Sequence, residues 1–567
     1  MRRALVVAAL LAPILATGRM GQTHAVLING GHKPESNYES HIVHLEGMRS
    51  VLESRGVTDL TVFSADGDDP EADMAVREPF AHPHRWLLEG TDAEDLLPKT
   101  RQEDSPWEGP RQPAVSTALS GWFSDAPLSP GDTLLLYTTD HGWRDKETGE
   151  AGLWLWREKA DPFAMATWLS ALPDGVTTVM VMSHCYSGVF ADVVLDGPLD
   201  GSVCGFFSAP KTRRAYGCYP EGRTSTSIGH GFRFIDALSG AESAAAAHER
   251  VLLSDRTPDV PLATSDLYLR RLVELDASAA GVGLAERVDA LLVDAQPDPI
   301  IAAMAAGVGL TPPQSMAAVA ALQETLQAAA PVVEQNDKLW SARLEELTEA
   351  HLGALRTDGG DSPTDATAMI DALLVRAERE GLLEMFVEVA RRQQLADDVR
   401  WRMQVRSAVL LRTEALLIAR AGEQLLATGR RMRPQRQVLR DLRRCEASPL
   451  GLSSQVSPPL PAAWPDLSVD LDAGLQPSFL GLRLENLPTE PGAVRVKSVL
   501  EGRPGEAAGL QADDVLIGPS GAAFVLPGQA RVWAALLVVD EPVSVQIRRE
   551  GVPKTITITP GVFPAPD

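Results

Sequence analysis

"VMVMSHCYSG", residues 179–188, decides how the first half of the chain is read. An apolar run from Val179 to Met182 stops abruptly at Ser183, His184, Cys185, Tyr186, Ser187 and Gly188. Such a run, closed by a polar turn, predicts a buried strand, and a parallel sheet presents its chemistry at the carboxyl ends of its strands. Cys185 stands at that point as a candidate nucleophile; the competing reading is a small structural cysteine at a core edge. A second run, "TLLLYTTDHG" at 133–142, ends in His141 and Gly142. A thiol needs a base to be a good nucleophile near neutral pH, and imidazole supplies one. Gly142 adds a backbone N–H that can donate to a developing oxyanion.

The flanking sequence supplies the sheet. "HAVLING" (24–30) and "LTVFS" (60–64) read as strands around a helix that Ser36 would cap and Gly56 would stop. Strand, helix, strand is a βαβ unit and implies parallel pairing. Residues 65–130 are rich in Asp, Glu, Pro and Gly and read as long loops. A helix near 162–172 and a strand in "VCGFFSA" (203–209) follow. Near-continuous apolar strands between helices imply an α/β/α sandwich with a mostly parallel central sheet, assigned to residues 25–240.

From 241 to 446, Ala, Leu, Glu and Arg dominate at helical spacing, with Asp361-Ser362-Pro363 as one helix start. This region reads as all-α, without a repeat period, its charge stripes facing solvent. Residues 447–477 form a Pro/Ser-rich linker, and strand-like alternation returns over 478–562 as a small β-rich domain.

The 52 Lys and Arg against 76 Asp and Glu leave a net charge of −24, which argues against nucleic-acid binding. Arg2, Arg3, the apolar run 4–16 and the small residues Ala16 and Gly18 follow the order of a secretory signal, residues 1–18. The run is shorter than the ~20 residues of a membrane span. The expectation is an exported protein, periplasmic or secreted, with no stable membrane span after cleavage. Four cysteines are too few for a disulfide scaffold; Cys204 and Cys218 are one pair that could bond.

The order strand, Asp-His-Gly, strand, Cys-X-Ser-Gly resembles the legumain-type cysteine peptidases of the caspase-like group. "NYESH" (37–41) falls where legumains carry an Asn-Tyr pair, and "FFSAPKTRRAYGCYPEG" (206–222) is similar to their segment after the fifth strand. The resemblance covers residues 25–238. It implies a caspase-like fold, with Cys185 as nucleophile, His141 as general base and acid, and Asn37 orienting the histidine. The N–H groups of Gly142 and Cys185 would form the oxyanion hole. At the places where legumains grip a P1 asparagine, this chain has Glu39, Ser183 and His230, so asparagine specificity is not carried over. Glu39 points instead to a basic P1 residue, since a buried carboxylate needs a cationic partner.

"FLGLRL" (479–484), "GAVRVKSVLEGRPGEAAGLQADDVLIGPSG" (492–521) and "VSVQIRREG" (543–551) resemble a PDZ domain of the bacterial-protease type. That resemblance implies capture of an extended peptide at a sheet edge. The loop Phe479, Leu480, Gly481 and Leu482 would hold a terminal carboxylate, and a module that only packs is the alternative. His82 and His84 lack a completing ligand set, so neither a metal nor another cofactor is expected. His184 should point away from Cys185 by strand alternation. The leading reading is an exported cysteine endopeptidase with protein or peptide substrates. A silent PDZ-containing scaffold and a transamidase of the same fold are the alternatives.

Overall fold

The structure, a computed structural model, describes residues 21–197, 201–220, 229–357, 365–452, 475–490 and 492–564. The expected signal peptide lies outside these residues.

The first half builds one six-stranded sheet from β1 (Thr23–Asn29), β2 (Asp59–Ser64), β3 (Thr133–Thr139), β4 (Thr177–Ser183), β5 (Val203–Phe207) and β6 (Leu262–Ala263), in the order β6-β5-β4-β3-β1-β2. Every neighbouring pair is parallel except β5 with β6. Alternate side chains of β4 enter opposite cores. Met180 and Met182 pack with Trp168 and Phe190 on one face, and Val179 and Val181 with Ile42, Leu45 and Phe234 on the other. Both faces are dry, which is why these strands read as continuous apolar runs.

Two sequence boundaries move. Helix α1 runs Glu39–Ser54 with Tyr38 at its cap position, two residues later than a Ser36 cap requires. Ser36 instead donates its hydroxyl to the Gly31 carbonyl at 3.0 Å, holding a loop that belongs to the site. The sheet also continues past residue 240. Helices α2 (His230–Gly240) and α3 (Ala244–Ser254) lead into β6, and α4 (Thr264–Ala280) follows.

The helical region is α4, two long helices, α5 (Met316–Thr357) and α6 (Leu383–Thr428), α7 (Arg433–Glu446) and shorter pieces. It is not a detached body. Leu269 of α4 and Leu439 and Leu442 of α7 complete one face of the sheet. By length and composition 316–353 could cross a membrane; in the fold Val333, Trp340 and Leu347 of α5 pack with Phe386 and Val389 of α6. The expected helix start at 361–363 lies outside the described residues. The helix Ala366–Arg379 begins instead at Asp365, whose carboxylate accepts from the Ala368 N–H at 2.9 Å.

Cys204 bonds to Cys445, not to Cys218, across a separation of 241 residues. Cys204 lies mid-strand in the core shared with Cys445, whereas Cys218 sits in a loop with its sulfur 3.7 Å from the Asp140 carbonyl. A second tether crosses the same boundary. Arg412 of α6, fully buried, donates to the carbonyls of Asp255, Thr257 and Asp259 at 2.8–2.9 Å. The start of the expected linker is held as well, since Arg55 donates to Leu450, Leu238 and Ala241 carbonyls; residues 453–474 lie outside the described set.

The C-terminal unit is a five-stranded antiparallel sheet, β7 (Leu482–Asn486), β8 (Val494–Val499), β9 (Val515–Pro519), β10 (Val543–Arg549) and β11 (Val552–Ile558), in that order, with helix α8 (Gln529–Leu536). Val494, Val496, Leu516, Val545 and Ile547 form its core with Trp533.

Because the Cys204–Cys445 bond closes so long a loop, chain entropy assigns it about 5 kcal/mol. Cys445→Ser should therefore lower the urea midpoint of the oxidised chain by an amount that accounts for several kcal/mol. An unchanged midpoint would show that packing of α7 alone fixes this junction.

Candidate active site

Thr139 of β3 and Ser183 of β4 are paired in parallel register. His141 and Cys185 each lie two residues beyond that pair, so adjacent strands deliver them to one edge of the sheet. Gly142 is required there by space: a Cβ on it would lie 1.7 Å from the Cys185 carbonyl oxygen. Tyr186 turns the chain sharply in the left-handed region, φ 62°. Its N–H donates to the Arg213 carbonyl at 2.8 Å, laying segment 213–215 beside the cysteine.

Cys185 is a free, half-buried thiol. The Ala215 N–H donates to its sulfur at 3.4 Å. Burial pushes the thiol above its ordinary value of 9, while the backbone N–H groups of Ala215 and Gly142 pull the other way. Burial also holds His141 below 6.5. Both shifts favour the uncharged form, thiol for Cys185 and neutral imidazole for His141.

His141 Nε2 lies 2.7 Å from the Ser36 carbonyl. A carbonyl only accepts, so Nε2 carries the proton and Nδ1 keeps the lone pair a base needs. The orienting role expected of Asn37 is therefore met by its neighbour's backbone. Asn37 is fully buried, accepting from Asn29 Nδ2 at 2.8 Å and donating to the Asp73 carbonyl at 2.8 Å. It fixes the loop that offers the Ser36 carbonyl. Asp140, also fully buried, braces the same loop by accepting from the N–H groups of Gly31 at 2.7 Å and His141 at 2.5 Å. Burial raises it to about 8 against the pull of those N–H groups.

Ser183 and His230 come together, Oγ to Nδ1 at 2.9 Å, but beneath the surface rather than as a pocket wall. Glu39, half-buried, opens α1. The His184 ring lies 5.6 Å from Phe190, with Nδ1 2.9 Å from the Cys185 carbonyl oxygen. A cleft of about 1070 Å³ lies between segment 212–216 and helices α5 and α6; Ala215, whose N–H reaches the Cys185 sulfur, lines it, whereas Cys185 itself does not. Tyr216 meets Trp401 of α6 across it, ring to ring at 5.0 Å. Asp259 accepts from the N–H groups of Tyr216 at 2.7 Å and His230 at 3.0 Å, and burial, with the neighbouring Asp255 charge, raises its pKa.

In the C-terminal unit, Phe479 pairs with Gly561, and its ring lies 5.1 Å from Phe563. Leu480 is buried, and the Leu480 and Gly481 carbonyls accept from Gly505 and Leu500. Phe479, Leu482 and Ala534 line a groove of about 110 Å³ that Leu339 and Arg343 of α5 help close. Ser36, expected only as a helix cap, Cys218, expected only as a possible partner of Cys204, and Asp259 had no part in the site as read from the sequence. Only Asp140, inside the Asp-His-Gly signature, and Cys218, inside the quoted Cys-Tyr, carried a signal.

Against known proteins, a scan of protein-family models finds no match, and no curated protein is similar in sequence. Among solved structures, an HtrA-type protease AlgW with decapeptide is 19% identical with TM-score 0.16, over 16% of this chain and 31% of that one. The serine endoprotease from Yersinia pestis is 17% identical with TM-score 0.14, over 16% and 30%. The HtrA3 PDZ domain bound to a phage-derived ligand is 22% identical with TM-score 0.14, over 15% of this chain and 86% of that domain. This chain therefore spans about a third of the length of the first two.

Proposed function

We propose that the chain is a cysteine endopeptidase of caspase-like architecture, exported and equipped with a peptide-binding C-terminal unit of PDZ type. The observation that carries this reading is the shared strand edge: Cys185, a histidine whose lone pair the Ser36 carbonyl directs to Nδ1, and the Gly142 N–H acting on the same sulfur. In the proposed reaction His141 takes the Cys185 proton as sulfur attacks a peptide carbonyl. The N–H groups of Gly142 and Cys185 receive the oxyanion. His141 then protonates the departing amine, leaving an acyl-enzyme that water opens with the same histidine as base. An amine in place of water would make the enzyme a transamidase.

Hydrolysis of a P1-varied fluorogenic peptide library by the full chain tests this reading. Turnover should vanish in Cys185→Ala, and peptides with Arg at P1 should lead if Glu39 selects cations. Turnover that survives the substitution would reject Cys185 as the nucleophile, and none at any P1 would favour the scaffold. Because burial raises the thiol and lowers the imidazole, iodoacetamide should modify Cys185 faster with rising pH up to and beyond 9. A plateau already reached at neutral pH would mean a preformed thiolate–imidazolium pair and would contradict the neutral resting state.

The helical region is proposed to restrain the site. A substrate strand lying along Arg214–Tyr216 would meet α5 and α6 across the cleft. Truncation cannot test this, because β6, Arg412 and Cys445 all lie beyond residue 240. Trp401→Ala should instead raise kcat/KM for short peptides several-fold by releasing the Tyr216 contact; a lower rate would make the helices part of the substrate site.

A further inference from the structure

Beside the dyad the structure assembles a second set of donors. A nitrogen of His41, a nitrogen of His141 and the Cys218 sulfur all lie within 4.8 Å of one another. The sequence offered no such site, because the three come from helix α1, the end of β3 and the loop after β5. His41 is fully buried, and neither of its ring nitrogens has a hydrogen-bond partner. A neutral imidazole always carries one N–H and one lone pair, and leaving these unpaired in a dry site costs about 1–3 kcal/mol each. Its ring meets His141 edge to face at 5.0 Å. Cys218 is a free thiol.

We propose that His41, His141 and Cys218 form a zinc site that switches the enzyme off. Two imidazoles and one thiolate are a donor set for Zn²⁺, with bonds of roughly 2.0–2.3 Å and a fourth position open. Tetrahedral bonds of that length put ligand atoms roughly 3.5 Å apart, so a contraction of about 1 Å would close the present triangle. The Ser36 carbonyl already plays the outer-shell part that zinc-bound histidines use, taking the Nε2 proton and leaving the His141 lone pair on Nδ1. On binding, the Cys218 thiol gives its proton to solvent and its sulfur bonds the ion. The ion also takes a His141 lone pair, and with it the base that Cys185 needs. Loss of activity on zinc binding rests on the peptidase reading; the site does not.

The test uses the full, oxidised chain with Co²⁺ as a spectroscopic substitute for Zn²⁺, beside Zn²⁺ titration against a chelator. One equivalent should bind with a thiolate-to-cobalt charge-transfer band. Cys218→Ser should abolish the band, and His41→Gln should weaken Zn²⁺ binding at least ~100-fold. Cys185→Ala should keep both band and affinity. Zinc should inhibit peptide hydrolysis by the parent, while Cys218→Ser, active without zinc, should resist it at least about tenfold. No bound ion, a band that survives Cys218→Ser, or one lost in Cys185→Ala would overturn the site. Binding with the expected pattern in a chain that cleaves nothing would uphold the site and reject the peptidase. Cys185-dependent cleavage insensitive to zinc, with no band, would do the reverse.

Discussion

The in-register parallel pairing of Thr133–Thr139 with Thr177–Ser183 is the constraint on which the rest of the candidate site depends. A parallel ladder places equivalent positions side by side, so two strands of seven residues with matched ends bring whatever follows them to one edge. A register slip of one residue would turn every side chain of β4 to the opposite core and carry Cys185 away from His141. The dry cores on both faces hold the register against that slip. The site is thus fixed by the burial of Leu135, Tyr137, Val179 and Val181 as much as by its own hydrogen bonds.

Around that edge the polar groups act through backbone. Ser36 orients the histidine with a carbonyl, Ala215 and Gly142 address the sulfur with N–H groups, and Asp140 and Asn37 hold the loops that present them. The same economy joins the helical region to the site. Arg412 is buried without exposure and is compensated by three carbonyls and the Asp255 carboxylate, whose loop carries Asp259. Breaking a buried charge network of this kind typically costs about 3–5 kcal/mol. Helix α6 therefore sets the position of Tyr216 and His230 from a distance, and the sheet and the helices are tied into one piece.

The strands, the parallel sheet and the placement of Cys185, His141 and Gly142 were legible in the sequence, because buried parallel strands leave uninterrupted apolar runs and chemistry collects where those runs stop. The start of α1 was not: Ser36 is a good cap by type but is spent on the loop around Gly31. The end of the first unit was misplaced because β6 is only two residues long and its partner strand is more than fifty residues earlier. Cys204 bonding to Cys445 was equally invisible, since nothing local marks a pairing across most of the helical region. Ser183, two residues before the cysteine, and His230, from a looser correspondence, do meet, but as buried packing. The Ser36 carbonyl and the His41–Cys218 neighbourhood escaped notice because backbone groups and long-range convergence carry no sequence pattern.

The most direct test of the central claim is covalent labelling of the full chain with a peptidyl acyloxymethyl ketone, followed by peptide mapping. This reagent needs both a nucleophile and a neighbouring acid-base group to form its thioether. The account predicts a single adduct on Cys185, lost when His141→Ala removes the base, with Cys218 unmodified. An adduct on Cys218, or labelling of Cys185 that does not depend on His141, would contradict it.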